Sequence, residues 1–129
     1  KLANTGLLLE IRGAQPSDTA SVYFRKFEGD EGSPETRIKA WRKVFREPAE
    51  TLKVQSEQKK IAAFPVVYVV MDGTSLRETT PNFMLFAAIV KTKEGHVVVR
   101  VSGPRKVVDN SKKIFSEMVE RALKERESE

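Results

Sequence analysis

Apolar residues recur along the chain at two spacings, and the switches between them divide it into elements. The run "TGLLLEIRG", Thr5 to Gly13, predicts a strand that ends in a polar loop containing Pro16 and Asp18. In "SVYFRKFEG", Ser21 to Gly29, one parity carries Val22, Phe24 and the stem of Lys26, and the other carries Tyr23, Arg25 and Phe27. That alternation, rich in aromatic and β-branched residues, predicts a second strand. A glycine-rich acidic loop follows, and then Ser33 and Pro34 stand as N-cap and first position of a helix. Ile38, Trp41 and Phe45 recur at helical spacing and form one buried stripe, with Trp41 as a core anchor. Pro48 is expected to end that helix, because a proline pushes the residue before it out of helical dihedrals.

The polar stretch from Thr51 to Phe64 reads as one or two exposed strands, with a turn near Ser56 to Lys59. "PVVYVVMDG" and "NFMLFAAIV" differ in kind, since both parities are apolar, which predicts two central strands covered on both faces. "KTKEGHV" reads as a hairpin with Gly95 at positive φ, leading into "HVVVRVSG". At Gly103-Pro104 the period changes again. Gly103 is expected to turn the chain and Pro104 to begin a long amphipathic helix, with Val107, Val108, Ser111, Ile114, Phe115, Met118, Val119 and Ala122 along one face and Leu123 closing it. Arg105 and Lys106 are expected to face water. The pattern as a whole predicts an α+β fold in a single domain, an α/β/α sandwich whose mostly antiparallel sheet of five to six strands is covered by helices on both faces.

Composition narrows the functional classes. With 129 residues, 40% of them hydrophobic, the chain suits one domain with one substantial core. The 23 Lys and Arg against 18 Asp and Glu give a net charge of +5, but both signs are mixed along the chain, as on a solvated surface. Nucleic-acid binding is not expected, because no stacking aromatics stand beside a basic patch in the sequence. The absence of cysteine excludes disulfides, thiolate nucleophiles and Cys-based zinc sites. No apolar run reaches the roughly 20 residues a membrane-spanning helix needs. The chain starts with Lys1 and not Met and enters almost at once into what reads as a strand, which suggests a trimmed or processed chain, with location in the cell envelope or outside the cell as one expectation.

Candidate chemistry is sparse. His96 is the sole histidine, so no His dyad, triad or multi-histidine metal site can form, and beside a hairpin glycine it reads as a solvated turn residue. No serine sits in a nucleophile elbow. The loop "EGDEG" offers Glu28, Asp30 and Glu31 as oxygen donors for a hard cation such as calcium, and "MDGTSLRE" adds Asp72 and Glu78. The metal candidates are thus Asp30, Glu31 and Asp72, without EF-hand spacing. An enzymatic pocket joining Asp72 and Glu78 is a further alternative. Arg37, Lys39, Arg42, Lys43 and Arg46 read as the solvated exterior of the first helix. "SGPRK" lacks the glycines of a P-loop or dinucleotide fingerprint, so it reads as a corner.

The C-terminal run "TTPNFMLFAAIVKTKEGHVVVRVSGPRKVVDNSKKIFSEMVERAL" resembles the C-terminal half of PsbP-like domains: an apolar strand, a hairpin with Gly95, a second strand, the turn at Gly103-Pro104 and a helix with a central Phe115. The earlier "VYFRKFEGDEGSPETRIKAWRKVF" is similar to that family's strand, loop and Trp-bearing helix, with Trp41 at the matching place. The resemblance covers about two thirds of the chain. It implies an α/β/α sandwich over residues 1–129, with the opening strands partly missing before Lys1. Relatives include an extrinsic protein of photosystem II and a nuclear-transport factor that binds the GTPase Ran, and both act by docking. The resemblance therefore implies a non-enzymatic accessory domain that binds another protein and uses no cofactor, with a small-ligand or divalent-cation-binding domain as the alternative.

Overall fold

The computed structural model describes residues 5–12, 19–48, 50–75, 82–93 and 95–127. Its strands are β1 (Thr5–Arg12), β2 (Thr19–Glu28), β3 (Lys53–Ile61), β4 (Phe64–Gly73), β5 (Phe83–Thr92) and β6 (Gly95–Pro104). Its helices are α1 (Pro34–Arg42) and α2 (Arg105–Glu127), with a short 3-10 turn over Gly29–Gly32. The six strands form one sheet in the order β1-β2-β6-β5-β4-β3, and every neighbouring pair is antiparallel. The chain builds β1 and β2, crosses the sheet through α1 to the far edge at β3, and returns by hairpins to close against β2.

Parity explains the layers. Every residue of β5 from Met84 to Val90 is buried. Met84, Phe86, Ala88 and Val90 join Val22, Tyr68 and Val101 under Val108, Phe115, Val119 and Leu123 of α2. Leu85, Ala87 and Ile89 join Val69, Met71 and Val98 under Trp41 and Phe45. The two helices therefore cover opposite faces. Phe115 meets the edge of Phe86 at 5.1 Å between ring centroids, and Phe86 stacks on Tyr68 at 5.8 Å. Burying each such ring is worth roughly 1.5–3 kcal/mol.

Several local expectations are corrected. β3 is a single strand paired residue for residue with β4, and the turn lies at Ala62, which has a φ of 57°. A polar strand persists there because it is an edge, where lysines and other charges discourage further pairing. The central pair is β5 and β6, while β4 stands one strand from the edge. α1 ends at Arg42, six residues before Pro48: Phe45 leaves the helix to bridge Ser75, and the Arg46 amide donates to the Thr74 carbonyl at 2.9 Å. Phe45 stays in the Trp41 stripe, edge-on to Phe83.

On α2 the buried stripe is narrower than the sequence predicts, since Ile114 and Met118 are 70% and 44% exposed. Pro104 is the last residue of β6, so α2 begins one residue later than expected, at Arg105, whose amide donates to the Asn82 carbonyl. Gly103 does not turn the chain but lets β6 pass close to β2. A Cβ there would stand 2.7 Å from the Cα of Ala20.

Candidate functional site

The residues singled out for a metal are not brought together. Asp30 and Glu31 lie in the 3-10 turn beyond the Glu28–Gly95 pair, at the end of the sheet where β5 reaches Thr92. Asp72 is level with Met84, eight residues away along β5, on the order of 25 Å at 3.3 Å per residue. Its carboxylate is engaged by Arg105, which donates from Nε at 3.0 Å and Nη2 at 2.6 Å to Oδ1. The expectation that Arg105 faces water is thus corrected. No group of three or more His, Asp or Glu with metal-binding geometry occurs among the described residues. Glu78 lies outside them.

His96 is also corrected. It is only 9% exposed, and its Nδ1 lies 3.2 Å from the Gly29 carbonyl. A carbonyl can only accept, so Nδ1 carries the proton. The hairpin turns at Lys93, and the strand pairing carries His96 opposite Phe27, beneath the 3-10 turn. Gly95 has the expected positive φ, 151°, and a Cβ there would strike the Phe27 carbonyl oxygen.

A different constellation forms on the α1 face. Tyr23, Arg25 and Phe27 share one parity of β2, and Arg100 lies directly opposite Tyr23 on β6. A helix of nine residues spans about 13 Å and cannot cover a six-stranded sheet, so a cleft remains where α1 meets β2 and β6. It holds about 90 Å³ and is lined by Tyr23, Arg25, Phe27, Arg37, Trp41 and Arg100 among others. The guanidinium carbons of Arg25 and Arg37 stand 4.3 and 4.2 Å from the centroid of the same Phe27 ring, and that of Arg100 stands 5.1 Å from Tyr23. Arg37 belongs to this site and not to the solvated exterior of its helix. Its Nε donates to the Glu31 carbonyl at 2.8 Å, fixing the side chain over the ring.

The electrostatics are one-sided. No described carboxylate lines the cleft. Burial lowers the Arg37 pKa, the Arg25 charge lowers it further, and Glu31 partly offsets both. For Arg100 burial again lowers the pKa, Tyr23 opposes this, and Arg37 and Arg25 add to the lowering. Arginine nevertheless stays protonated, so the cleft concentrates positive charge. Arg100 Nε is buried with no hydrogen-bond partner among the described residues.

The sequence reading missed this cluster because its residues come from three elements. Two signals were present: an arginine inside the valine run "HVVVRV", and the Tyr-Arg-Phe parity of β2. Aromatics do stand beside basic residues here, although guanidinium groups occupy their rings.

No family model matches the chain, and no curated protein matches it in sequence. Among solved structures, the chain is similar to PA94 from Pseudomonas aeruginosa, a protein of unknown function described as a candidate regulator. The TM-score is 0.69 at 8% identity, over 93% of this chain and 82% of that one. A likeness at that identity shows a shared fold. The fold of this chain is of the α+β class, with an antiparallel sheet and two helices. Among the described residues no helix is long and apolar enough to cross a membrane.

Proposed function

We propose that the chain is a non-enzymatic accessory domain that docks to another protein through the arginine-rich cleft beside α1. The observation that carries this reading is the convergence of Arg25, Arg37 and Arg100 on two aromatic rings, with no described carboxylate among the lining residues. Positive charge gathered on an open sheet face, with no described carboxylate lining the cleft, gives electrostatic complementarity to an acidic surface and steers its approach. Arginine and aromatic residues are also the types enriched at interface hot spots. The PsbP-like resemblance supports the same reading, because the relatives it implies act by docking. The cleft's volume, about 90 Å³, is far below the roughly 300–1,000 Å³ of a pocket that encloses a small molecule, which favours docking over small-ligand binding.

The test is affinity capture from the source organism with the wild-type domain and with a doubly reversed variant, Arg25→Glu with Arg100→Glu, both shown to be folded. A protein retained by the wild type, lost by the variant and rebound in purified form supports docking through this face. Retention of the same proteins by both baits, or a turnover activity that survives the double reversal, overturns it.

A further inference from the structure

Resting on the docking reading, we propose that the cleft is a carboxylate-binding site that seats an aspartate or glutamate side chain from an acidic segment of the partner. Arg100 is its buried donor, and Arg25 and Arg37 are the flanking charges. The first support is an unmet hydrogen-bonding demand. Buried donors in native proteins are almost always paired, and a buried charged donor without a partner carries a large desolvation cost. Arg100 Nε is such a donor, and it belongs to a side chain lining the cleft. The atom itself has no accessible surface, so the group is satisfied when the Arg100 side chain turns toward a carboxylate seated in the cleft it lines, in a charge-assisted bond stronger than a neutral one.

The second support is preorganisation. Arg37 is tied to the Glu31 carbonyl and lies on Phe27, so that cation is held in place before a ligand arrives, and Arg25 lies on the same ring. Two like charges near one ring repel each other, and an anion between or beside them relieves that repulsion. The third support is size. A space of about 90 Å³ admits a single anionic group on a side chain and not a nucleotide. The aromatic faces that would stack on bases are already covered by guanidinium groups, which disfavours single-stranded nucleic acid as the occupant. An acidic segment of a protein needs only one side chain to enter.

The test uses the full chain with a fluorescein-labelled, end-blocked peptide in which glutamate and aspartate alternate with glycine and serine. The comparison probes are its glutamine and asparagine counterpart, an oligothymidylate of equal charge, and inorganic phosphate. Binding is followed by anisotropy and by the NMR signal of the Arg100 Nε–H group. The expected result is saturable binding of the acidic peptide, a shift of the Arg100 signal, and a loss of roughly tenfold or more in affinity for both Arg100→Gln and Arg25→Gln. The amide peptide should not bind. Arg25 is exposed, so its variant tests the site even if Arg100→Gln fails to fold. Absent or unsaturable peptide binding, or binding indifferent to Arg25→Gln with an unmoved Arg100 signal, overturns the proposal. Tighter binding of oligothymidylate or phosphate with the same Arg100 shift also overturns it, in favour of phosphate chemistry. If the acidic peptide fails while affinity capture still yields a partner sensitive to the double reversal, docking stands and the carboxylate assignment falls.

Discussion

Arg105, at the first position of α2, donates from Nε and Nη2 to one oxygen of Asp72, near the end of β4, and so ties the helix start to a strand two places across the sheet from β6. Asp72 is 19% exposed and Arg105 45%, so water screens the pair only in part. The expected coupling in a double-mutant cycle of Asp72→Asn and Arg105→Gln is about 0.5–1 kcal/mol, read by urea denaturation at low salt. Additive single effects would show that the pair contributes nothing beyond its separate packing.

Arg100 is expected to trade stability for binding. Replacing a buried donor that has no partner with an apolar side chain of similar length removes a desolvation cost. Arg100→Met should leave the domain as stable as the wild type, or more stable by about 1–2 kcal/mol in chemical denaturation. A marked loss of stability would assign Arg100 a structural role through its stacking on Tyr23.

Gly95 is constrained by both conformation and space. With φ at 151° and the Phe27 carbonyl where a Cβ would stand, Gly95→Ala must push β6 away from β2. The expected cost is about 1–3 kcal/mol in thermal or urea unfolding. Because His96 and Phe27 adjoin this pair, the same variant should also disturb the NMR signals of the 3-10 turn.

Glu47 predicts a pH dependence. Its Oε1 accepts the Thr74 amide at 2.9 Å, and that hydrogen bond holds its pKa below the ordinary glutamate value. Since the folded pKa is depressed, the stabilisation is fully present above the ordinary, unfolded value and is lost as pH falls through the folded one. The stability advantage of wild type over Glu47→Ala should be constant between about pH 6 and pH 7 and should shrink as pH drops below about 4. A difference that does not change across that range would place the effect of Glu47 in packing alone.

The sequence by itself determined the elements whose signal is local. Period-two alternation placed β2, the hairpin at Gly95 placed β6, apolar residues at both parities marked β4 and β5 as covered on both sides, and Ser33-Pro34 marked the start of α1. Trp41 and Phe115 were legible as core anchors because helical spacing alone puts them on an apolar stripe. What tertiary structure decided was which ends meet. The end of α1 depended on Phe45 finding Ser75, and the burial of His96 on the 3-10 turn folding over it. The separation of Asp72 from Asp30 and Glu31 depended on the sheet order together with the register that sets Asp72 level with Met84, at the other end of β5 from Thr92. The arginine cleft depended on the same order, which sets Arg100 beside Tyr23 across 77 residues of chain and leaves a short helix to cover a wide sheet. Local sequence encodes periodicity. Contacts between distant segments arise only when strand register and helix length are fixed together.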